Sequence, residues 1–140
     1  MLKAINIDAE IKKVPQAERI TAFQSGEYEG MAFHEWGADF PDANGMLLPL
    51  FGSRSFPPQN NQSKYSNPAV DKLLDGAEAE ADAEKRTAIL IEAQKLIAAD
   101  MPLIWLDHPK WFLAMDKNLS GYVISPLFYW DSFFRDLVPA

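Results

Sequence analysis

The chain has 140 residues, of which 48% are hydrophobic and 12% aromatic, so it fits one compact domain with a sizeable core and is not expected to be disordered. Its formal net charge of −7 argues against nucleic acid or an anionic membrane surface as a partner, because neither attracts an acidic protein. The absence of cysteine excludes disulfides, thiolate nucleophiles and cysteine-ligated metals.

The first predicted elements are a strand, a helix and a second strand. Apolar and polar residues alternate over residues 5–14, which predicts a strand with one buried face. Pro15 suits the first turn of a short helix, and Ser25-Gly26 suits its end. Residues 30–36 again have an extended pattern. The order strand–helix–strand predicts an α/β protein in which these two strands are parallel.

Residues 37–67 have a mixed composition. Four prolines and three glycines interrupt every periodic pattern in this segment. Large apolar residues are nevertheless frequent, namely Met46, Leu47, Leu48, Leu50, Phe51 and Phe56. A flexible linker would not carry so many apolar groups, so we predict a long ordered loop, without regular secondary structure, that packs on the core.

Two helices and a strand are predicted next. Asn67-Pro68 combines an N-cap residue with proline at the first helical position, and Asp82 is the N-cap of a second helix that runs to about Ala99. Residues 101–106 are apolar on both faces, as a buried strand would be. Residues 111–138 are rich in aromatics and punctuated by glycine and proline, which predicts short strands and turns.

The histidines do not indicate a metal site. His34-Glu35 begins like the zinc-protease pattern H-E-x-x-H, but Ala38 occupies the position of the second histidine. His108 cannot restore that spacing, so a structural role for His34 is the stronger prediction. The sequence also lacks the serine nucleophile elbow and the glycine-rich phosphate loops, so we predict no metal and no cofactor.

Asp39 and Asp42 are two acids in one proline-containing loop. A pair of carboxylates is what glycoside hydrolysis requires, so a small carboxylate-dependent hydrolase is an alternative function. Acids in such loops more often cap turns, because their side chains accept hydrogen bonds from nearby backbone amides. We therefore predict that this chain is not an enzyme.

The cluster Trp36-Gly37-Ala38-Asp39-Phe40 lies where the second predicted strand enters the long loop. Trp36 could form an aromatic wall, the small Gly37 would let a ligand approach the backbone, and Asp39 could accept hydrogen bonds from a cationic group. In the alternative, structural interpretation, Trp36 belongs to the core and Asp39 caps a turn. The residues alone leave both interpretations open.

An ordered set of short motifs extends through almost the whole chain. It comprises Tyr28-Glu29-Gly30-Met31-Ala32, Trp36-Gly37-Ala38-Asp39-Phe40-Pro41-Asp42, Leu48-Pro49-Leu50-Phe51-Gly52-Ser53, Asn60, Tyr65-Ser66-Asn67-Pro68, Asp71-Lys72-Leu73-Leu74, Arg86, Asp100-Met101-Pro102-Leu103-Ile104-Trp105-Leu106 and Gly121-Tyr122. In this order the motifs resemble the extracytoplasmic solute-binding proteins of peptide-type ABC transporters. This group is family 5, with dipeptide-, oligopeptide- and nickel-binding members. Phe40 stands where tyrosine is frequent in the family, and Ala43 where a second proline often follows.

The resemblance implies an α/β fold that is the C-terminal fragment of a two-lobed periplasmic-binding-protein-like (type II) structure. Residues 1–32 would be the last strand and helix of the second lobe. Residues 33–140 would be the hinge-crossing strand and the C-terminal part of the first lobe. The implied location is periplasmic, or extracellular with a membrane anchor at the N-terminus of the parent protein, whose signal peptide would lie outside these residues.

The resemblance also implies that the parent protein captures a peptide, or a related solute, between its lobes and delivers it to the membrane subunits of an ABC permease. Asp39 is the acid of the W-x-A-D pattern and would receive the terminal ammonium of the ligand, while Trp36 and Gly37 would line the same wall. The missing N-terminal part is a further expected partner. A further alternative is a structural fragment that has no binding activity on its own. We expect the isolated fragment to self-associate through the surface that the other lobe would cover.

Overall fold

A computed structural model describes residues 2–27, 30–38, 40–108, 110, 112, 114–124, 132–133 and 137–139. The helices of the described residues are α1 (Gln16–Ser25), α2 (Asn44–Phe51), α3 (Pro68–Ala79) and α4 (Ala83–Asp100), with short 3-10 turns at Leu2–Ile5 and Ser53–Ser55. The strands are β1 (Leu119–Ser120), β2 (Val123–Ile124), β3 (Ser132–Phe133) and β4 (Val138–Pro139). The described chain is therefore a helix-rich α and β structure.

Helices α3 and α4 pack against each other and form the centre of the core. The Asn67 side chain accepts a hydrogen bond from the Ala69 amide at 2.9 Å, and the Asp82 side chain accepts one from the Lys85 amide at 2.9 Å. Both predicted N-caps are thus confirmed. The facing apolar residues are buried, namely Val70, Leu74 and Ala77 of α3 and Leu90, Ala93 and Ile97 of α4.

Helix α2 packs on both α3 and α4. The predicted packing of this segment on the core is confirmed, because Leu47, Leu50 and Phe51 are buried in the same cluster. The prediction that the segment lacks regular secondary structure is wrong. Pro49 lies inside α2, where it cannot donate a backbone hydrogen bond. The three buried residues lie at helical spacing on one face, and their burial offsets that loss.

The chain between α2 and α3 is held by side-chain hydrogen bonds. The buried Asn61 amide donates to the carbonyls of Gly52 and Tyr65, each at 2.9 Å. The Tyr65 hydroxyl donates to Asp100 at the end of α4, at 2.6 Å. Burial, and then the hydrogen bond to Asp100, raise the pKa of Tyr65 to about 12. These bonds tie the segment that precedes α3 to the C-terminal end of α4.

Three predicted strands are not formed. Residues 5–14, 30–36 and 101–106 contain no strand. Representative apolar side chains of these segments are exposed, with relative exposures of 86% for Ile11, 75% for Phe33 and 71% for Ile104. An apolar pattern shows which side chains could be buried, but a strand also needs a neighbouring strand, and none of the described strands pairs with these segments.

The remaining predictions about local structure hold. Helix α1 follows Pro15 and ends at Gly26, whose φ of 67° is left-handed and favours glycine. The predicted short C-terminal strands are confirmed as two antiparallel ladders, in which Leu119 lies opposite Pro139 and Val123 opposite Phe133. None of the helices in the described part of the chain combines the length and apolar character that a bilayer crossing demands.

Candidate functional site

The predicted ligand-binding residues lie around the segment that leads into α2. Trp36 is half-buried and packs against the core cluster, as the structural interpretation expects, and part of its surface stays accessible. Its indole N–H is buried and has no hydrogen-bond partner among the described residues. Gly37 is exposed. Asp39, the predicted ammonium acceptor, lies outside the described residues.

His34 joins α1 to the extended segment that carries Trp36. Arg19 donates a hydrogen bond to Nδ1 of His34 at 2.9 Å. Because a guanidinium can only donate, Nδ1 is the acceptor, and the imidazole is therefore neutral. Desolvation of the ring and then the charge of Arg19 lower the pKa of His34. The ring also contacts Phe23 edge-on, with centroids 5.3 Å apart. These contacts give His34 a structural role, as predicted.

Asp42 makes an ion pair with Arg86 of α4. The guanidinium donates two hydrogen bonds, from Nε to Oδ2 at 2.8 Å and from Nη2 to Oδ1 at 3.0 Å. Oδ1 of Asp42 also accepts from the Asn44 amide at 2.7 Å, which confirms the predicted turn role of this acid. The hydrogen bond from Arg86 is the main reason why the pKa of Asp42 is lowered. Asp42 is thus a paired, ionised carboxylate at neutral pH.

This ion pair speaks against the hydrolase alternative in the form that makes Asp42 the general acid. A general acid must be protonated near the working pH, whereas Arg86 stabilises the charged form of Asp42. Within the described residues, no three histidine, aspartate or glutamate side chains are grouped as a metal site.

Sequence reasoning did not predict the partner of Asp42. A signal was present, because Arg86 lies near the N-terminus of a predicted helix, where the helix dipole disfavours a positive charge. An arginine at such a position is less unfavourable when an acid from another segment neutralises it. The sequence does not show which acid this is, since Asp42 and Arg86 are 44 residues apart.

A second contact at the same place involves Phe40. Its ring lies against Gly45 of α2, so closely that a Cβ atom at residue 45 would be 3.1 Å from Cζ of the ring. The backbone amide of Asp42 donates to the Phe40 carbonyl at 2.7 Å. A cavity of about 260 Å³ lies beside this turn and is lined by residues 41–43 and by side chains of α4 that include Arg86. The turn after residue 39 is therefore packed on both α2 and α4.

A scan against protein-family models finds no match. The chain is 30% identical to the probable di/tripeptide-binding protein 5 of Pseudomonas aeruginosa, over 89% of this chain and 24% of that protein. It is 31% identical to the probable D,D-dipeptide-binding periplasmic protein DdpA of Escherichia coli, over 90% of this chain and 24% of that protein. It is 37% identical to the glutathione-binding protein GsiB of Salmonella paratyphi A, over 77% of this chain and 24% of that protein.

The chain spans about a quarter of the length of the relatives that it matches. The similarity extends over most of the chain, as the ordered motifs predict, and the relatives share a short peptide as the ligand in their names. The chain therefore belongs by sequence to the peptide-type solute-binding proteins, family 5, and corresponds to a portion of such a protein.

Proposed function

We propose that this chain is the C-terminal part of a periplasmic solute-binding protein that captures a short peptide for import by an ABC permease. The observation that carries the proposal is the similarity, over most of the chain, to proteins named for dipeptides, di/tripeptides and glutathione. One of these names also specifies the periplasm, which supports the same location here. The role proposed is binding and delivery, without chemical conversion of the peptide.

The exposed apolar segments support a parent protein with further chain, for which we propose the two-lobed type II fold. Residues 5–14, 30–36 and 101–106 have strand-like patterns and no strand partner among the described residues. A protein as long as the relatives has further chain with which such segments can pair. We assign residues 1–32 to the second lobe and residues 33–140 to the hinge crossing and the first lobe. Each lobe then supplies part of the ligand site.

Asp39 is the residue that we propose for the ammonium group of the peptide. Its place in the W-x-A-D pattern supports this role, as does its position in the sequence after the partly accessible Trp36 and the exposed Gly37, which has no side chain. A charge-assisted hydrogen bond contributes about 1.5–3 kcal/mol, which corresponds to roughly ten- to hundredfold in affinity.

The test is isothermal titration calorimetry on the gene product that contains this chain, at its full encoded length, with dipeptides and their N-acetylated forms. We expect the free amine to bind roughly ten- to hundredfold more tightly, and Asp39→Asn to abolish that preference. The control Asp8→Asn removes an exposed acid of the same type and should change neither affinity. Equal affinity for both forms in the unmutated protein would contradict the role of Asp39, and failure to bind any short peptide would contradict the proposed ligand.

A further inference from the structure

Described residues on both sides of position 39 in the sequence are attached to the rest of the fold. We name residues 37–43 the 37–43 loop. Before it, Trp36 packs against the core cluster. After residue 39, the ring of Phe40 lies against Gly45, and Asp42 is bound by Arg86. In the sequence, position 39 thus falls between two attached segments, and the later segment begins at residue 40.

The Arg86 side chain makes directional contacts with two other parts of the fold. Its planar guanidinium binds both carboxylate oxygens of Asp42, and Nη1 donates to the carbonyl of Ala77 in α3. The side chains of Arg86 and Asp42 are only 23% and 27% exposed. A bidentate pair that is partly shielded from water fixes the direction of the carboxylate as well as its distance. Arg86 therefore aligns the turn at Asp42 with α3 and α4 together.

Stability alone accounts poorly for this arrangement. Ion pairs that are partly or fully buried lose hydration energy, and replacing such a pair by apolar residues is often neutral. What the pair supplies is a defined position of one segment relative to another. Here the two segments are the turn three residues after Asp39 and the first part of α4.

We propose that Arg86 is a positioning residue for ligand binding: through Asp42 it sets the place of the 37–43 loop and so presents Asp39 to the ammonium group of the peptide. The proposal rests on the proposed function, since it assumes that Asp39 binds the ammonium. It adds α4, through Arg86, to the elements that determine specificity for a free N-terminus. The contact of Phe40 with Gly45 acts in the same direction from α2.

The test measures one quantity, the ratio of the affinities for a free-amine dipeptide and its N-acetylated form, on the full-length gene product. We expect Arg86→Gln to lower this ratio about tenfold, equivalent to 1.4 kcal/mol. Arg86→Lys should lower the ratio less than Arg86→Gln does, because lysine keeps the charge but not the bidentate geometry. The matched control is Lys95→Gln, which removes an exposed cation of the same helix that is paired with Glu92.

The ratio separates positioning from stability. If Arg86 were purely structural, Arg86→Gln would lower the melting temperature but leave the affinity ratio of the folded protein unchanged. Circular dichroism verifies that the variant is folded at the assay temperature. That result would overturn the proposal. If Arg86→Gln does not fold, Asp42→Asn decides, since it keeps an oxygen that can accept from the Asn44 amide and must lower the ratio likewise. If the unmutated protein shows no preference for the free amine, the role of Asp39 fails; if Asp39→Asn abolishes the preference and Arg86→Gln does not change it, only the positioning role fails.

Discussion

Gly45 and Gly76 form a matched pair of helix glycines that tests how Phe40 packs against α2. No atom lies within 4 Å of the place that a Cβ would occupy at Gly76 in α3. Alanine there restricts the unfolded chain without a clash, so Gly76→Ala should raise the free energy of unfolding by about 0.5–1 kcal/mol. For a chain of this size, that corresponds to about 3 °C in melting temperature.

At Gly45 the same substitution meets the Phe40 ring. The new Cβ would lie 3.1, 3.2 and 3.3 Å from three ring carbons, whereas carbon atoms pack best at about 3.5–4.0 Å. The ring is 48% exposed and can move outward by a few tenths of an ångström, so the cost should be near the lower end of overpacking, about 1 kcal/mol. The gain from alanine is then cancelled, and Gly45→Ala should leave the stability unchanged or slightly reduced.

Urea unfolding monitored by circular dichroism measures the free energy of unfolding of both variants and of the unmutated chain. The control compares the double variant Phe40→Ala/Gly45→Ala with Phe40→Ala alone. Once the ring is removed, the alanine at residue 45 should stabilise α2. If Gly45→Ala stabilises the protein as much as Gly76→Ala, the Phe40 ring does not lie against α2 and the reasoning is refuted.

Two further predictions concern the ion pair and the core. Arg86 lowers the pKa of Asp42, so the stability from this pair is fully present above the ordinary aspartate pKa of about 4 and is lost as the pH falls through the lower, folded-state value. The difference in melting temperature between the unmutated chain and Asp42→Asn should therefore narrow below about pH 4. If this difference stays constant down to pH 2, the ion pair of Asp42 with Arg86 is not its source. Leu74 is fully buried, whereas Leu106 is 68% exposed. In urea unfolding, Leu74→Ala should lower the free energy of unfolding by about 2–5 kcal/mol and Leu106→Ala by about 0.5 kcal/mol or less. Similar losses in the two variants would contradict the assigned burial.

The helices with strong local signals were predictable from the sequence. The N-caps Asn67 and Asp82 and the terminal Gly26 are recognised by residue type, and each acts on backbone groups within a few residues. Helix α2 was not predictable in this way, because Gly45 and Pro49 both oppose helix formation locally. Its helix depends on burial against α3 and α4, which a local pattern does not contain.

The strands and the surroundings of the site show the same limit. Alternation at residues 5–14 indicates a possible buried face, but pairing depends on a second segment that the pattern does not identify. The chemistry of the cluster around Trp36 and Asp39 allowed a ligand site or a structural role, and only the family resemblance assigned Asp39 to the ammonium group, which stays a prediction. The partner of Asp42 required the fold, since α4 brings Arg86 to it across 44 residues of sequence.

The short connection between α3 and α4 has a consequence for the order in which the protein folds. Only residues 80–82 separate these helices, so their association closes a small loop and loses little chain entropy, whereas docking Asp42 onto Arg86 closes a much longer one. We expect the helical hairpin to form early, with its arginine already held by the Ala77 carbonyl. The acidic turn then arrives at a cation whose direction is already set. In partial unfolding the same turn should detach first, so recognition would be lost before the helices melt.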